Sequence, residues 1–330
     1  MAAGTATQDD RSFRERPSVA RLPDVFLRWT LTAIAVGVLA LIAFFFIRLY
    51  GESRPLWDKV GIIDFVFSDQ WVPNKNQFGA LPLVVGTLIT SVIALGIGVP
   101  IAVAAAVYVT ELCPGRLKNP LTILIELLAA VPSVVYGLWG VFVLIPKLKP
   151  AEQWFSDTFA FLPFVGGTVA GPNYFIAGLI LAIMILPIVS AISREVISTV
   201  PVEHKEAALA LGATRWEMLR MAVLPYSRAG ISGAAMLGLG RAIGETIAAT
   251  LVIGNAPDIG DTIFSQGYTL AAVVANEFGE AASDPLHRAA LIAAGLVLFV
   301  LTLAVNALAR FFVLRSERKL SAGVPKGMAG

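Results

Sequence analysis

Arg241 and Glu245 are the charged residues of an otherwise uncharged run, 229–253. The run is long enough to cross a bilayer as a helix, which needs roughly 20 apolar residues. Arg241 falls near its middle, where a charged side chain costs at least ~2.5–3.5 kcal/mol on insertion scales. A charge held there must face protein, water or an anion. The guanidinium is planar and always charged, and its paired donors match the oxygens of a tetrahedral oxyanion. Glu245 stands four residues on, so a continuous helix puts both side chains on one face. Arg before Glu is the less favoured order for an intrahelical pair. Two readings fit these residues: an ion pair locking two helices or two subunits, or a site for an oxyanion. A carboxylate repels a fully ionised oxyanion but accepts a hydrogen bond from a protonated one. Hydrogen phosphate carries such a proton and sulfate does not. Gly240 and Gly244, and likewise Ala234, Gly238 and Ala242, are spaced four apart, which predicts small faces for close helix approach.

A second group of residues lies in the polar segment 193–228. Val202–Leu211 is rich in strong helix formers, and Pro201 suits a helix start. Gly212 stands where helices commonly end in a left-handed residue. Thr214 and Glu217 have capping-box spacing for a second helix, and Pro225 marks entry to the next apolar run. The pattern predicts a helix–Gly–helix elbow. Ala207, Ala208 and Leu211 give it a small apolar face, flanked by Glu203, Lys205 and Glu206. Such an element is either a structured loop or a knob that enters a partner's groove.

Both groups need a scaffold. Of the 330 residues 57% are hydrophobic and 15% charged, against about 25% charged in an average soluble domain. Six apolar runs, 29–47, 82–109, 121–145, 174–192, 229–253 and 289–309, contain only Glu126, Arg241 and Glu245 as charged residues. This predicts an all-α polytopic membrane protein with six transmembrane helices. Pro100, Pro132 and Pro187 interrupt three of the runs and predict kinks, which membrane helices tolerate beside neighbours or water. Ser133 and Tyr136 follow Pro132 and are candidate path-lining residues. Glu126 is expected to be structural, its head reaching the interface. Segment 48–81 is too polar to span, and its Trp57 and Trp71 suit an interface. Tyr268–Phe278 is apolar but short, as in an interfacial or re-entrant helix. The expected organisation is a flexible tail 1–28, a first span with external loop 29–81, a core 82–314 and a tail 315–330.

Most of the 25 Lys and Arg residues fall in 1–28, 110–120, 193–228 and 310–330. By the positive-inside rule these segments, and both termini, are expected to be cytoplasmic. Net charge is +2, which gives no reason to expect nucleic acid. Cys113 has no partner for an intrachain disulfide, and His204 and His287 flank no matching metal ligands. The apolar runs hold no His or Asp, so a membrane-embedded hydrolase lacks its usual bases. The chain has no Gly-x-x-x-x-Gly-Lys-[Ser/Thr] loop. It is therefore not expected to bind ATP or a cofactor of its own.

Glu206-Ala207-Ala208, with Gly212 and Leu224-Pro225 following, resembles the EAA loop of ABC-type importer permeases; Ala222 stands where that pattern usually has Ile. Gly240-Arg241-Ala242-Ile243-Gly244-Glu245-Thr246 with Val252-Ile253-Gly254-Asn255, and Val131–Gly140, are similar to the PstC-type permeases of phosphate ABC importers. The resemblance covers roughly residues 80–310. It implies a type I importer permease bundle in a bacterial cytoplasmic membrane, surrounded by lipid. It also implies a PstA-type second permease, PstB-type ATPases and a PstS-type external phosphate-binding protein. It gives Arg241 and Glu245 a part in phosphate passage. Glu206, Ala207, Ala208, Leu211 and Gly212 become the coupling site for the ATPase. The competing expectation is an ion-coupled secondary anion transporter with Glu245 as proton carrier, which leaves the elbow without a role.

Overall fold

The computed structural model describes residues 22–321. These residues are helical, broken by turns and by two isolated bridges, Val72 with Gln77 and Gly254 with Gly267. Residues up to Gly51 form one unit and those from Glu52 onward a second. The first unit holds α1 (Leu22–Glu52) as far as Gly51. Its described side chains are exposed almost throughout, and a helix apolar on every side suits lipid or a partner.

The second unit begins with α2 (Arg54–Trp57) and α3 (Ile62–Phe67), then α4 (Leu81–Val107) and α5 (Gly115–Ala129). There follow α6 (Ser133–Trp139), α7 (Ile145–Thr158), α8 (Tyr174–Ser198), α9 (Val202–Ala210) and α10 (Arg215–Met218). The last are α11 (Leu224–Ile243), α12 (Ile247–Ile253), α13 (Leu270–Glu277) and α14 (Pro285–Ser321). Among the described residues five helices are long and apolar enough to cross a membrane; α11 with α12, bent by 65° at their junction, supplies a sixth if the pair is one span.

Small residues determine the packing. α4 and α8 lie together along their length, with α11 against both. A Cβ on Gly98 would come within 2.9 Å of Ile185, and one on Gly238 within 2.8 Å of Val189. Ala234 and Ala242 are buried on the same side, so the Ala234–Gly238–Ala242 stripe is a packing face as its spacing predicts. Gly240 has open space beside it, so the Gly240–Gly244 pair packs on no other described helix of this chain.

The apolar run 121–145 is not one helix. α5 ends at Ala129 and a new helix starts after Pro132, running with a π-helical turn at Gly140–Leu144 into α7. Pro132 cannot donate to the carbonyl of Leu128, the partner four residues back. The Tyr136 hydroxyl donates to that carbonyl instead, at 2.7 Å. Pro100 and Pro187 sit within helices that continue through them, so only the break at Pro132 divides its run. α1 starts at Leu22, taking in the end of the expected N-terminal tail, and α14 runs to Ser321, past the expected start of the C-terminal one. The rest of both tails lies outside the described residues.

At the end of the bundle away from α9, the loops fold inward. Trp71 is buried rather than interfacial, and its indole donates to Glu277 at 3.0 Å. Residues 270–273 of α13 are buried against α4 and α14, so the segment is a short core helix. Its start is held by Thr269, which caps Ala272, and by Thr87 of α4, which accepts from the Leu270 N–H at 3.0 Å. Gly86 makes this approach possible, because an added Cβ would meet the Tyr268 carbonyl oxygen. Overpacking of this sort costs ~1–3 kcal/mol. Gly86→Ala is therefore expected to lower the thermal midpoint of the detergent-purified protein by several degrees, followed by tryptophan fluorescence. An unchanged midpoint would mean that α4 and this loop are not held together as described.

Candidate functional site

The break in the span that carries the charges decides where they sit. α11 ends at Ile243, and Gly244, Glu245 and Thr246 are non-helical before α12 begins. Arg241 is therefore in the last turn of α11, while Glu245 lies in the bend. The one shared helix face expected from their spacing does not exist. Glu245 Oε1 instead accepts from the backbone N–H of Ala248 at 3.3 Å. This satisfies a donor at the start of α12 with a negative charge, which the helix dipole favours there. Arg241 is exposed, and no hydrogen bond or ion pair to another described residue holds it.

The resumed parts of the two broken spans come together: α6 packs on α12, with the Gly137 position facing Ala248 and Leu251. Tyr136 itself is buried and committed to Leu128, so its hydroxyl braces the break at Pro132. Ser133, the first residue of α6, is half-buried. Two broken helices thus meet beside one exposed guanidinium.

The elbow follows its sequence closely. α9 spans Val202–Ala210, Gly212 has φ +84°, and Thr214 and Glu217 form a complete capping box. The Thr214 N–H donates to Glu217 Oε2 at 2.8 Å, and the Glu217 N–H donates to Thr214 Oγ1 at 3.3 Å. A π-helical turn at Leu219–Val223 then joins α10 to α11. Leu211 is 90% exposed, and Glu206 and Ala207 are exposed beside it. Ala208 departs from the expected knob: it turns inward against Met218, Leu219 and Val223. Lys205 also turns inward, and its Nζ lies 2.6 Å from Glu111 Oε1, so it does not flank the exposed face. Between α9 and the second arm runs an open groove of about 750 Å³, bordered by His204, Ala208, Leu211, Ala222 and Tyr226. Ala222, the departure from the usual pattern, lies on its wall.

Three pairings were not visible in the sequence. Lys205 and Glu111 are 94 residues apart. Arg194 reaches Glu126 at 3.0 Å and the Thr122 hydroxyl at 3.1 Å, so Glu126 anchors α5 to α8. His287 Nε2 lies 2.9 Å from Glu277 Oε2, the same oxygen that accepts from Trp71. Nearby, burial raises the Tyr268 phenol well above its ordinary pKa, with the Glu277 charge adding to it. No local periodicity marks such partners, which lie on different elements.

The sequence profile of the family described as "Binding-protein-dependent transport system inner membrane component" matches residues 98–318. The chain belongs to this family. Its members are inner-membrane, multi-pass transport components rather than enzymes, and this chain has their helical architecture. A relative from Mesorhizobium japonicum, named phosphate transport system permease protein PstC, is 43% identical over 91% of this chain and 93% of its own length. A protein of the same name from Xylella fastidiosa is 40% identical over 96% of each. One solved structure, a bacterial ABC transporter involved in the import of the acidic polysaccharide alginate, aligns with TM-score 0.54 at 17% identity. It covers 89% of this chain and 98% of its own. That likeness supports the type I importer permease fold; the family membership rests on the sequence.

Proposed function

We propose that this chain is the permease subunit of an ATP-driven importer of inorganic phosphate, with Arg241 as the phosphate contact. The observation that carries this reading is an exposed guanidinium, unpaired among the described residues, at the junction of two broken helices. Lipid is an expensive neighbour for it. A water-filled path shared with a second, PstA-type permease satisfies it. The close relatives bear the name of phosphate permeases. PstB-type ATPases dock on the elbow and supply the energy, and a PstS-type protein delivers phosphate from outside. Both termini are cytoplasmic, and the chain holds no cofactor of its own.

The reading with Glu245 as a proton carrier asks this carboxylate to release a cap each time it is protonated. Glu245→Gln separates the two. The amide keeps an acceptor oxygen for the Ala248 N–H but cannot titrate. In proteoliposomes holding all the subunits, phosphate uptake is expected to need internal ATP and to survive a proton ionophore. Glu245→Gln is expected to keep uptake within about threefold, since the amide oxygen retains the cap on the Ala248 N–H and only the titration is lost. Uptake abolished by Glu245→Gln and by the ionophore would install the proton carrier instead.

A further inference from the structure

Of the residues in α9, only Lys205 and Ala208 are not exposed. Three apart, they share one face, and that face looks into the bundle. Ala208 rests on an apolar cluster built by Ala106 of α4, Ile197 and Val200 beside the end of α8, and Met218, Leu219 and Val223 of the elbow's second arm. Lys205 passes this cluster to reach Glu111. Glu111 belongs to a π-helical turn, Tyr108–Leu112, that continues α4. The two side chains are 17% and 9% exposed. A pair so withdrawn from solvent is costly to break, because the surviving charge is left without compensation.

The pair joins parts of the chain that the backbone does not join directly. From α9 the covalent route leads through Gly212 and α10 into α11. Lys205 opens a separate route into α4. That helix continues to the opposite end of the bundle, where Thr87 accepts from the Leu270 N–H. π-helical turns lie on both routes, at 108–112 and at 219–223. Such turns occur often at functional sites.

We propose that Lys205 and Glu111 are positioning residues that pass movement of the elbow into α4, so that ATP hydrolysis below is felt along this helix as well as along α11. The proposal rests on the ATP-driven reading above. It treats α9 as a lever with two faces. The outer face, with Leu211, meets the ATPase. The inner face, with Lys205, grips the bundle. The ion pair fixes the spacing of α9 from the end of α4, so displacement of one is passed to the other.

The test is a charge-swap cycle in the assembled transporter. Lys205→Glu, Glu111→Lys and the double swap are compared with the unsubstituted protein for co-purification of the ATPase, ATP hydrolysis and phosphate uptake. Each single variant is expected to keep the ATPase bound and hydrolysing while uptake falls by about tenfold or more, within the usual range of coupling between sites. The swap is expected to restore most of the uptake, because the interaction belongs to the pair. Lys205→Met with Glu111→Gln keeps the packing without the charges; it is expected to assemble and hydrolyse ATP, yet to transport poorly. Normal uptake in the single variants or in this neutral pair overturns the proposal. So does loss of the ATPase in the single variants together with its recovery in the neutral pair, since the pair would then merely hold the elbow in shape. If the unsubstituted chain neither captures an ATPase nor takes up phosphate on ATP, the underlying reading fails instead.

Discussion

Arg241→Ala is expected to abolish phosphate uptake while leaving the assembled transporter intact. The two halves of that expectation come from one observation. Arg241 is exposed and has no partner among the described residues, so truncating it empties no packed site and strands no buried acid. The cost falls on the ligand. Charge-assisted hydrogen bonds are worth ~1.5–3 kcal/mol each, so losing two lowers uptake by about two orders of magnitude or more. Arg241→Lys keeps the charge but not the planar fork, and little activity is expected to remain. Uptake of radiolabelled phosphate in cells lacking other phosphate systems is the measurement, with gel filtration of the purified complex as its control. Uptake at the unsubstituted level in Arg241→Ala would remove Arg241 from the path. Loss of assembly would make it an intersubunit lock, the other reading its position allows.

Arg241 also shows what a sequence can and cannot disclose here. A charge within an apolar run is visible to simple counting, because lipid tolerates it only with a partner, water or a ligand. The helix break three residues later is not. Gly244 is an ordinary residue within membrane helices, and nothing in Gly-Glu-Thr demands a 65° bend. With the helix broken, an expected i, i+4 pair becomes a guanidinium facing outward and a carboxylate capping α12. The elbow was far more legible, since Gly212, Thr214 and Glu217 act through local backbone geometry and need no distant partner. Pro132 was half legible. Its missing donor is local, but the relief by Tyr136 depended on the chain resuming as a helix beyond it. Lys205, Arg194 and His287 were opaque for the opposite reason. Lys205 and Arg194 find their acids 94 and 68 residues away, and His287 finds one ten residues back on the preceding helix; only the packing of α9 on the end of α4, of α8 on α5 and of α14 on α13 brings the pairs together. Trp71 misled because a tryptophan in a polar loop resembles an interfacial anchor until the loop folds into the core.

Gly212→Val is expected to detach the ATPase. At φ +84° the residue is left-handed, and an added Cβ has open space around it. Any effect of a side chain there is therefore backbone strain rather than collision. The left-handed region costs an ordinary L-residue roughly 1–2 kcal/mol, and a β-branched one is a genuine outlier there. Valine relieves that strain by re-angling α9 against α10, which swings Leu211 away from the direction in which it now projects. The capping box survives, because Thr214 and Glu217 lie wholly on the far side of the turn. The second arm thus stays folded while the first loses its orientation. Association with the ATPase, measured by co-purification and by titration of labelled subunit, is expected to weaken by about tenfold or more, the effect of misplacing one buried interface anchor. Gly212→Asn supplies the control, since asparagine enters the left-handed region several-fold more readily than most residues. If valine and asparagine behave alike, the turn does not aim Leu211, and the exposed leucine needs another explanation. If only valine fails, and Leu211→Asp fails with it, the direction of a single turn governs how this permease meets its source of energy.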